Sequence, residues 1–285
     1  MRADQRARRD AFLSRIGAHP LVMGILNVTP DSFSDGGRFL AADAAVAHAK
    51  DMAAQGCAIV DIGGESTRPG ATPVPEAEEL ARIGAVVAHL AGELAVPLSI
   101  DTYKAPVAAR AVELGAIMVN DVWGLQRDPA MADTVAAAQA AVVIMHNRAD
   151  KDEALDIVAD IRRFFDRSLS LAMRAGILDR HVVLDPGIGF GKTARQNIDA
   201  LSRLGELLDY GRPLMVGVSR KAFFGSLVPA GLAREAEAGV VGTVAVALAA
   251  AAAGASIFRV HDVAEHVTAL AVFDAIRRGR RGVVL

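Results

Sequence analysis

Residues 105–121 read Ala-Pro-Val-Ala-Ala-Arg-Ala-Val-Glu-Leu-Gly-Ala-Ile-Met-Val-Asn-Asp, and this stretch contains the repeating unit of the chain. A helical segment (Ala105–Leu114) ends at Gly115, an apolar run (Ile117–Val119) follows, and the run ends in the polar pair Asn120-Asp121. Glycine is a common stop signal after a helix. A continuous apolar run is typical of a strand that is covered on both faces. The stretch therefore predicts one step of a parallel sheet.

The same unit occurs along the whole chain. The other candidate strands are Leu21–Leu26, Ile59–Ile62, Leu98–Ile100, Val142–Met145, Val182–Leu184, Leu214–Val218 and Ile257–Val260. The other candidate helices are Asp43–Gln55, Glu76–Leu94, Pro129–Ala138, Ala154–Ala175, Ala194–Leu208, Arg234–Ala253 and Ala264–Arg277. Eight units without a break in composition predict a single (β/α)₈ TIM barrel of the α/β class. The alternative is a doubly wound open sheet, which usually has fewer strands and needs a reversal of strand order.

Two segments stand apart from this pattern. Residues 1–15 carry five arginines and no apolar run follows them, so we expect no signal peptide but a solvated helix or frayed arm. We therefore expect an N-terminal extension over residues 1–18 and the barrel over residues 19–285. Residues 238–258 carry no charge and are long enough to span a bilayer. Their Ala and Gly content and Gly254 instead indicate a buried helix followed by a strand.

Composition excludes several classes of function. The 285 residues have a net charge of −2 and only 5% aromatic residues, which argues against a broad nucleic-acid surface or a base-stacking platform. Cys57 is the only cysteine, so an intrachain disulfide and a zinc site with several thiolates are excluded. A single thiol suits a reducing compartment, and we expect a cytoplasmic protein without a membrane anchor.

Every candidate strand ends in side chains that can form hydrogen bonds or carry charge. These are Asn27, Asp61, Asp101, Asn120-Asp121, His146-Asn147, Asp185, Ser219-Arg220-Lys221, and Arg259 with His261. The active sites of (β/α)₈ barrels lie at this end of the strands. A lone Asp or Asn can equally cap a helix or fill a turn, so the prediction depends on the complete set.

The segments after the first two strands, 27–38 and 63–70, exceed the usual two to six residues of such connections. Both contain glycines, hydroxyl groups, an arginine and an apolar side chain, Phe33 or Pro69. This composition is typical of mobile loops that contact an anion and form an apolar wall. Ordinary solvated surface loops are the alternative.

Seven motifs together resemble the dihydropteroate synthase family. They are Met23–Gly37, Asp61–Gly70, Ser99–Thr102, Val119–Asp121, Asp185–Lys192, Gly217–Lys221 and Arg259–Val263, and the resemblance covers about residues 20 to 275. One departure follows Met145-His146, where family members often have a turn with Gly or Pro and this chain has Asn147-Arg148-Ala149-Asp150.

The resemblance implies a Mg²⁺-dependent transferase of folate biosynthesis. Such enzymes join 4-aminobenzoate to 6-hydroxymethyl-7,8-dihydropterin diphosphate and release diphosphate and 7,8-dihydropteroate. It further implies a homodimer and inhibition by sulfonamides, which mimic 4-aminobenzoate. Loss of diphosphate would come first and leave a cation delocalised over the pterin, so no dedicated general base is expected.

The resemblance also implies a role for individual residues. The pterin is expected to contact Asp101, Asn120, Asp185 and Lys221. The diphosphate is expected at Asn27, Thr67, Arg68, Arg259 and His261, with Asn27 as the one protein ligand of Mg²⁺, since this ion keeps waters and binds through phosphate oxygens. The 4-aminobenzoate pocket is expected to contain Phe33, Pro69, Phe190, Ser219 and Lys221. The catalytic residues are expected to be Asp101, Lys221, Arg259 and His261.

Two other functions fit parts of the same pattern. A methyltransferase barrel that takes a methyl group from methyltetrahydrofolate would share Asp101, Asn120 and Asp185, but would not need the diphosphate residues. A non-catalytic pterin or anion carrier could use the same fold, since a fold alone does not establish a function. His146 is expected either to orient Met145 or to lie at the surface.

Overall fold

The computed structural model describes residues 1–28, 38–66, 72–217, 219, 221–232 and 239–279, with the backbone alone at 38–41 and 222. The strands are β1 (Leu21–Asn27), β2 (Ile59–Gly63), β3 (Leu98–Asp101), β4 (Met118–Asp121), β5 (Ala141–Met145), β6 (Val182–Asp185), β7 (Met215–Gly217) and β8 (Ile257–Val260). All neighbouring strands are parallel, in the order β6-β5-β4-β3-β2-β1-β8-β7.

The sheet closes on itself. A parallel bridge joins Leu184 of β6 to Leu214 beside β7, and the Leu184 N–H donates to the Pro213 carbonyl at 2.9 Å. An open doubly wound sheet would leave two edge strands and reverse its strand order. Here the sequence order runs around the sheet and its two ends meet, which confirms the predicted (β/α)₈ barrel.

The helices are α1 (Ala3–Arg15), α2 (Arg38–Ala54), α3 (Glu76–Glu93), α4 (Ala105–Leu114), α5 (Met131–Ala138), α6 (Ile157–Ala175), α7 (Ala194–Ser202), α8 (Val240–Ala252) and α9 (Val263–Arg278). Shorter 3₁₀ helices cover Asp179–His181, Leu204–Tyr210, Ala222–Leu227 and Ala230–Leu232. The glycine stops behave as expected, with positive φ of +142° at Gly115 and +87° at Gly176.

One predicted helix is divided in the structure. The segment 194–208 is not one helix, because α7 ends at Ser202 and a 3₁₀ helix follows. Leu204 and Leu207 are both buried, and their spacing of three residues puts them on one side of a 3₁₀ helix. The uncharged stretch forms α8 and β8 as expected, and none of the helices in the described ranges is long and apolar enough to cross a membrane.

The N-terminal helix α1 covers the end of the barrel where the strands begin. Phe12 is 2% exposed and belongs to an apolar cluster with side chains of β1, β2 and β4 to β8. Gln5 Nε2 donates to the Val112 carbonyl at 2.8 Å, and Arg8 Nη2 donates to the Leu94 carbonyl at 2.8 Å. A helix forms here as one of the two expectations had it, but its inner side packs on the barrel and is not solvated. The division of the chain at residue 18 stays a prediction.

Candidate active site

Four polar side chains from different strands meet at the carboxyl end of the barrel. Arg259 of β8 donates from Nε to Asp61 Oδ2 of β2 at 2.7 Å and from Nη2 to Asp101 Oδ2 of β3 at 2.6 Å. Asn120 of β4 donates from Nδ2 to the same Asp61 oxygen at 2.9 Å. The guanidinium is only 17% exposed, so the two ion pairs are largely removed from water. The barrel therefore assembles the predicted strand-end residues into one cluster.

Three oxygen atoms of this cluster are buried without a hydrogen-bond partner among the described residues. They are Asp61 Oδ1, Asp101 Oδ1 and Asn120 Oδ1. Buried polar atoms are normally hydrogen-bonded, and exceptions commonly mark a functional site. All three atoms are acceptors, because the carboxylate of Asp61 binds the Asn120 amino group and so turns the amide oxygen the other way. This set fits a ligand that presents several N–H groups.

Burial also controls the charge of the carboxyl groups. It raises the pKa of Asp101 to about 7, with Arg259 opposing the rise and Asp61 adding to it. For Arg259, burial alone would lower the pKa, but the Asp61 and Asp101 carboxylates outweigh it and the pKa is raised. The site thus holds a permanent cation beside an acid that ionises near neutral pH.

Asp185 lies at the end of β6, and a tight turn fixes its carboxylate. Oδ1 accepts from the Gly187 N–H at 2.7 Å. Burial raises the pKa of Asp185 to about 6, while this hydrogen bond and the Lys221, Lys192 and Arg259 cations oppose the rise. The carboxyl group is therefore ionised at neutral pH, at a cost to the stability of the folded state.

The turn after β6 also brings Phe190 and Lys221 together. Lys221 Nζ lies 4.7 Å from the centre of the Phe190 ring. Gly189 has a φ of +88°, and a Cβ atom there would lie 3.0 Å from Lys221 Cδ. Glycine is therefore needed both for the turn and for the close passage of the lysine side chain.

Ser219 and His261 form a second pair beside β7 and β8. The His261 backbone N–H donates to Ser219 Oγ at 3.2 Å, and the hydroxyl lies 2.9 Å from His261 Nδ1. The hydroxyl can donate to Nδ1, which puts the ring hydrogen on Nε2. Asn27 lies at the carboxyl end of β1 and is partly exposed. Phe33, Thr67, Arg68 and Pro69 lie outside the described residues, as do most of the predicted mobile loops.

Sequence reasoning missed or misplaced several residues of this region. Asp61 is predicted as a strand-end residue, but the sequence indicates no partner for it. In the structure its carboxylate accepts hydrogen bonds from both Asn120 and Arg259. His146 does not lie at the surface: it is fully buried and contacts Lys192, which also received no role. Asp121 has a structural role, since its carboxylate accepts from the N–H groups of Trp123 and Leu125.

A second network anchors the chain before residue 67. Lys104 Nζ donates to Glu65, to Glu79 Oε2 at 2.5 Å and to the Val74 carbonyl at 2.7 Å. The Glu65 carboxylate also accepts from the Val74 N–H at 3.2 Å. This network joins Glu65 to Val74 and ties both to α3 and α4. The position of Glu65 within the second family motif gave no indication of this role.

A closed α/β barrel with buried acidic and amide groups at its carboxyl end has the architecture of a barrel enzyme with a site for a small polar ligand. The model of the family described as "Pterin binding enzyme" matches residues 23–261. A dihydropteroate synthase of Clostridium beijerinckii is 42% identical over 264 residues, which cover 92% of this chain and 96% of that protein.

Solved structures give the same result. The dihydropteroate synthase of Xanthomonas albilineans with 4-aminobenzoic acid has a TM-score of 0.85 and 46% identity, with 91% of this chain and 93% of that chain covered. The Yersinia pestis dihydropteroate synthase with a sulfonamide drug complex has a TM-score of 0.82 and 42% identity, with 92% and 96% covered. The chain belongs to the dihydropteroate synthase family of pterin-binding enzymes.

The raised pKa of Asp185 makes a prediction about stability. The folded protein binds a proton at Asp185 between pH about 4 and 6 that the unfolded chain does not, so ionisation of this group destabilises the fold as pH rises through that window. Asp185→Asn keeps the acceptor for Gly187 and removes the buried charge. The thermal midpoint of this variant should exceed that of the wild type by more at pH 8 than at pH 5.

The exposed Asp150→Asn change serves as the control and should shift the midpoint equally at both pH values. A gain for Asp185→Asn that is larger at pH 5 would contradict the assigned direction of the pKa shift.

Proposed function

We infer that this chain condenses 6-hydroxymethyl-7,8-dihydropterin diphosphate with 4-aminobenzoate to give 7,8-dihydropteroate and diphosphate. It is a transferase of folate biosynthesis and a sulfonamide target, as its family membership and the ligands named for its relatives indicate. The single observation that carries this conclusion is the group of buried, unpartnered acceptors at Asp61, Asp101 and Asn120. A reduced pterin presents the complementary N–H donors.

Four residues recognise the pterin, each through its own hydrogen bonds. The ionised Asp185 accepts hydrogen bonds from the 2-amino group and the neighbouring ring N–H. Asn120 gives one amino hydrogen to Asp61 and keeps its carbonyl oxygen and second N–H for the ligand. Asp101 accepts from another ring nitrogen, and Lys221 donates to a ring acceptor near the reacting methylene. Analogues that lack these groups leave buried polar atoms unpaired and are rejected.

The diphosphate binds where cationic and neutral donors converge. Arg259 is held between two carboxylates through Nε and Nη2, and we expect its Nη1 group to donate to a phosphate oxygen. His261, with its ring hydrogen on Nε2, donates to a phosphate oxygen. Asn27 adds a carboxamide, and we expect Thr67 and Arg68 to complete the set.

The donor set fits Mg²⁺ held mainly by the substrate. Within the described ranges, no three His, Cys, Asp or Glu side chains are grouped so that they could hold a metal ion. Asn27 offers one neutral oxygen, which suits an ion that keeps waters and binds chiefly through phosphate oxygens. When bound, Mg²⁺ neutralises charge on the leaving diphosphate.

The chemistry begins with departure of diphosphate from the pterin methylene. Arg259 and His261 stabilise the negative charge on the leaving oxygen, while Asp101 and Asp185 stabilise the positive charge that spreads over the pterin. The neutral aniline nitrogen of 4-aminobenzoate then attacks the methylene and loses a proton, so no strong base is required. Phe190, Ser219 and Lys221 contribute to its pocket, together with Phe33 and Pro69.

A product assay tests this function. With both substrates and Mg²⁺, the wild type should form 7,8-dihydropteroate and diphosphate in equal amounts. Asp185→Asn should lower kcat/KM about 10- to 100-fold, since hydrogen bonds to a charged group contribute roughly 1.5–3 kcal/mol. Asp150→Asn should match the wild type.

A wild type that forms no dihydropteroate would overturn the proposal. Methyl transfer from methyltetrahydrofolate would instead favour the methyltransferase function, and binding of the pterin without turnover would favour a carrier.

The metal requirement has its own test. Removal of Mg²⁺ with EDTA should abolish turnover, and added Mg²⁺ should restore it. Asn27→Ala should raise the Mg²⁺ concentration for half-maximal rate about tenfold, in the range seen when support for a metal site is lost. An unchanged Mg²⁺ dependence in Asn27→Ala would exclude Asn27 as the ligand.

We also propose a homodimer that forms through the late helices. Val241 at the start of α8 is 79% exposed, and Ile198, Leu227 and Leu232 are further exposed apolar side chains in this part of the chain. The cytoplasmic location stays a prediction.

Sedimentation should give twice the chain mass for the wild type and the monomer for Val241→Glu. Met173→Glu, at an exposed site on α6, should stay dimeric; a monomeric wild type would contradict the proposal.

A further inference from the structure

Lys192 is a buried lysine that the reaction described above does not use, and burial lowers the pKa of its amino group to about 7. Its side chain is 2% exposed, and no carboxylate of the described residues lies within ion-pair distance of its Nζ atom. Nζ instead donates to the Gly187 carbonyl at 2.7 Å and to the Phe190 carbonyl at 3.1 Å, and lies 2.7 Å from His146 Nδ1. Burial of an ammonium group in such surroundings is costly, so its presence needs an explanation other than packing.

The three acceptors show what the ammonium group holds. Gly187 binds Lys192 through its carbonyl and Asp185 through its N–H, so Lys192 and the pterin-binding carboxylate are joined through one residue. Phe190 binds Lys192 through its carbonyl, while its ring packs below Lys221. The Lys192 amino group therefore joins the residue that binds the Asp185 carboxylate to the residue that carries the Phe190 ring.

His146 connects this turn to the preceding strand and to α6. Its Nε2 lies 3.2 Å from Asp160 Oδ2, and Arg148 Nη1 lies 2.7 Å from the same oxygen. Burial, with contributions from the Lys192 and Arg148 cations, lowers the pKa of His146 to about 4, so the ring is neutral. Nδ1 then accepts from Lys192 while Nε2–H donates to Asp160.

The backbone fits this arrangement closely. A Cβ atom at Gly187 would lie 1.9 Å from the His146 carbonyl oxygen, and one at Gly191 would lie 2.4 Å from the Arg148 carbonyl oxygen. Both glycines have positive φ. The turn after β6 is thus seated directly on the chain that follows β5, and Lys192 joins the two from inside.

We propose that Lys192 is a positioning residue for the condensation. It fixes the turn 186–191 so that Asp185 faces the pterin and Phe190 faces 4-aminobenzoate at the spacing required for transfer between them. Lys192 itself touches neither substrate. The inference rests on the proposed function for the identity of the two ligands. For the geometry it rests on the contacts of Lys192 with Gly187, Phe190 and His146.

Lys192→Met tests the proposal, since methionine has a similar length and suits a buried position but cannot donate a hydrogen bond. Loss of the buried amino group removes its desolvation cost but leaves three buried acceptors without a donor, so the test is read from substrate binding and not from the thermal midpoint. The KM for 4-aminobenzoate should rise at least tenfold, and the Kd for 6-hydroxymethylpterin, measured by calorimetry, should rise at least threefold. Lys151→Met, at an exposed lysine after β5, should change neither.

A second variant keeps the test decisive if Lys192→Met does not fold. His146→Asn retains an acceptor near the Nδ1 position, whereas His146→Leu removes it. The KM for 4-aminobenzoate should rise more in His146→Leu than in His146→Asn.

The two failures can be told apart. A Lys192→Met variant with wild-type KM and Kd values, or equal KM values in the two His146 variants, would overturn the positioning role while leaving the reaction intact. A wild type without product would overturn the proposed function, and the Kd for 6-hydroxymethylpterin would still test the effect of Lys192 on Asp185.

Discussion

The guanidinium of Arg259 between the carboxylates of Asp61 and Asp101 is the interaction on which the carboxyl end of the barrel depends. Three strands, β2, β3 and β8, contribute one member each, and β1 lies between β8 and β2. One cation faces two acids in a site with little water, and burial, with Asp61 adding to it, raises the pKa of Asp101 to about 7. Removal of one partner from a buried ion pair leaves an uncompensated charge and is far more costly than the pair is stabilising. Loss of Arg259 would therefore leave both carboxylates buried without their cation.

This arrangement leaves acceptors that a ligand with N–H donors can use. Arg259 and Asn120 engage one oxygen of Asp61, Arg259 engages one oxygen of Asp101, and the opposite oxygens of both carboxylates have no partner in the described structure. The raised pKa values of Asp101 and Asp185 show that ionisation of these buried carboxyl groups costs free energy in the folded protein. A ligand that brings N–H donors, and that gains positive charge during the reaction, offsets this cost most when the cation forms. The electrostatic cost of these buried carboxyl groups is thus offset most in the transition state.

The fold and much of this site could be predicted from the sequence because both depend on local periodicity. Apolar runs and glycine stops gave the eight strands, and the closed barrel followed from their number. Barrel topology then brings all strand ends together, so Asp101, Asn120, Asp185 and Arg259 could be grouped without knowledge of any contact. The helix α1 could not be placed, because its arginines suggested a solvated face. Phe12 and Leu13 are its only large apolar residues, and two adjacent residues do not form the apolar stripe of an amphipathic helix.

The roles of residues that pair across the barrel could not be predicted from the sequence. Asp61 and Arg259 are 198 positions apart, and nothing in the residues around Asp61 indicates that it orients an amide on β4. Lys192 is a sharper case, since a lysine in a glycine-rich turn ordinarily suggests a solvated cation or a phosphate ligand. Its burial depends on the packing of this turn against the chain after β5, which Gly187 and Gly191 permit. Such packing between separate segments cannot be inferred from the sequence of either one. These two glycines therefore serve a packing purpose, since they let the turn lie directly on the chain after β5 with the Lys192 side chain between them.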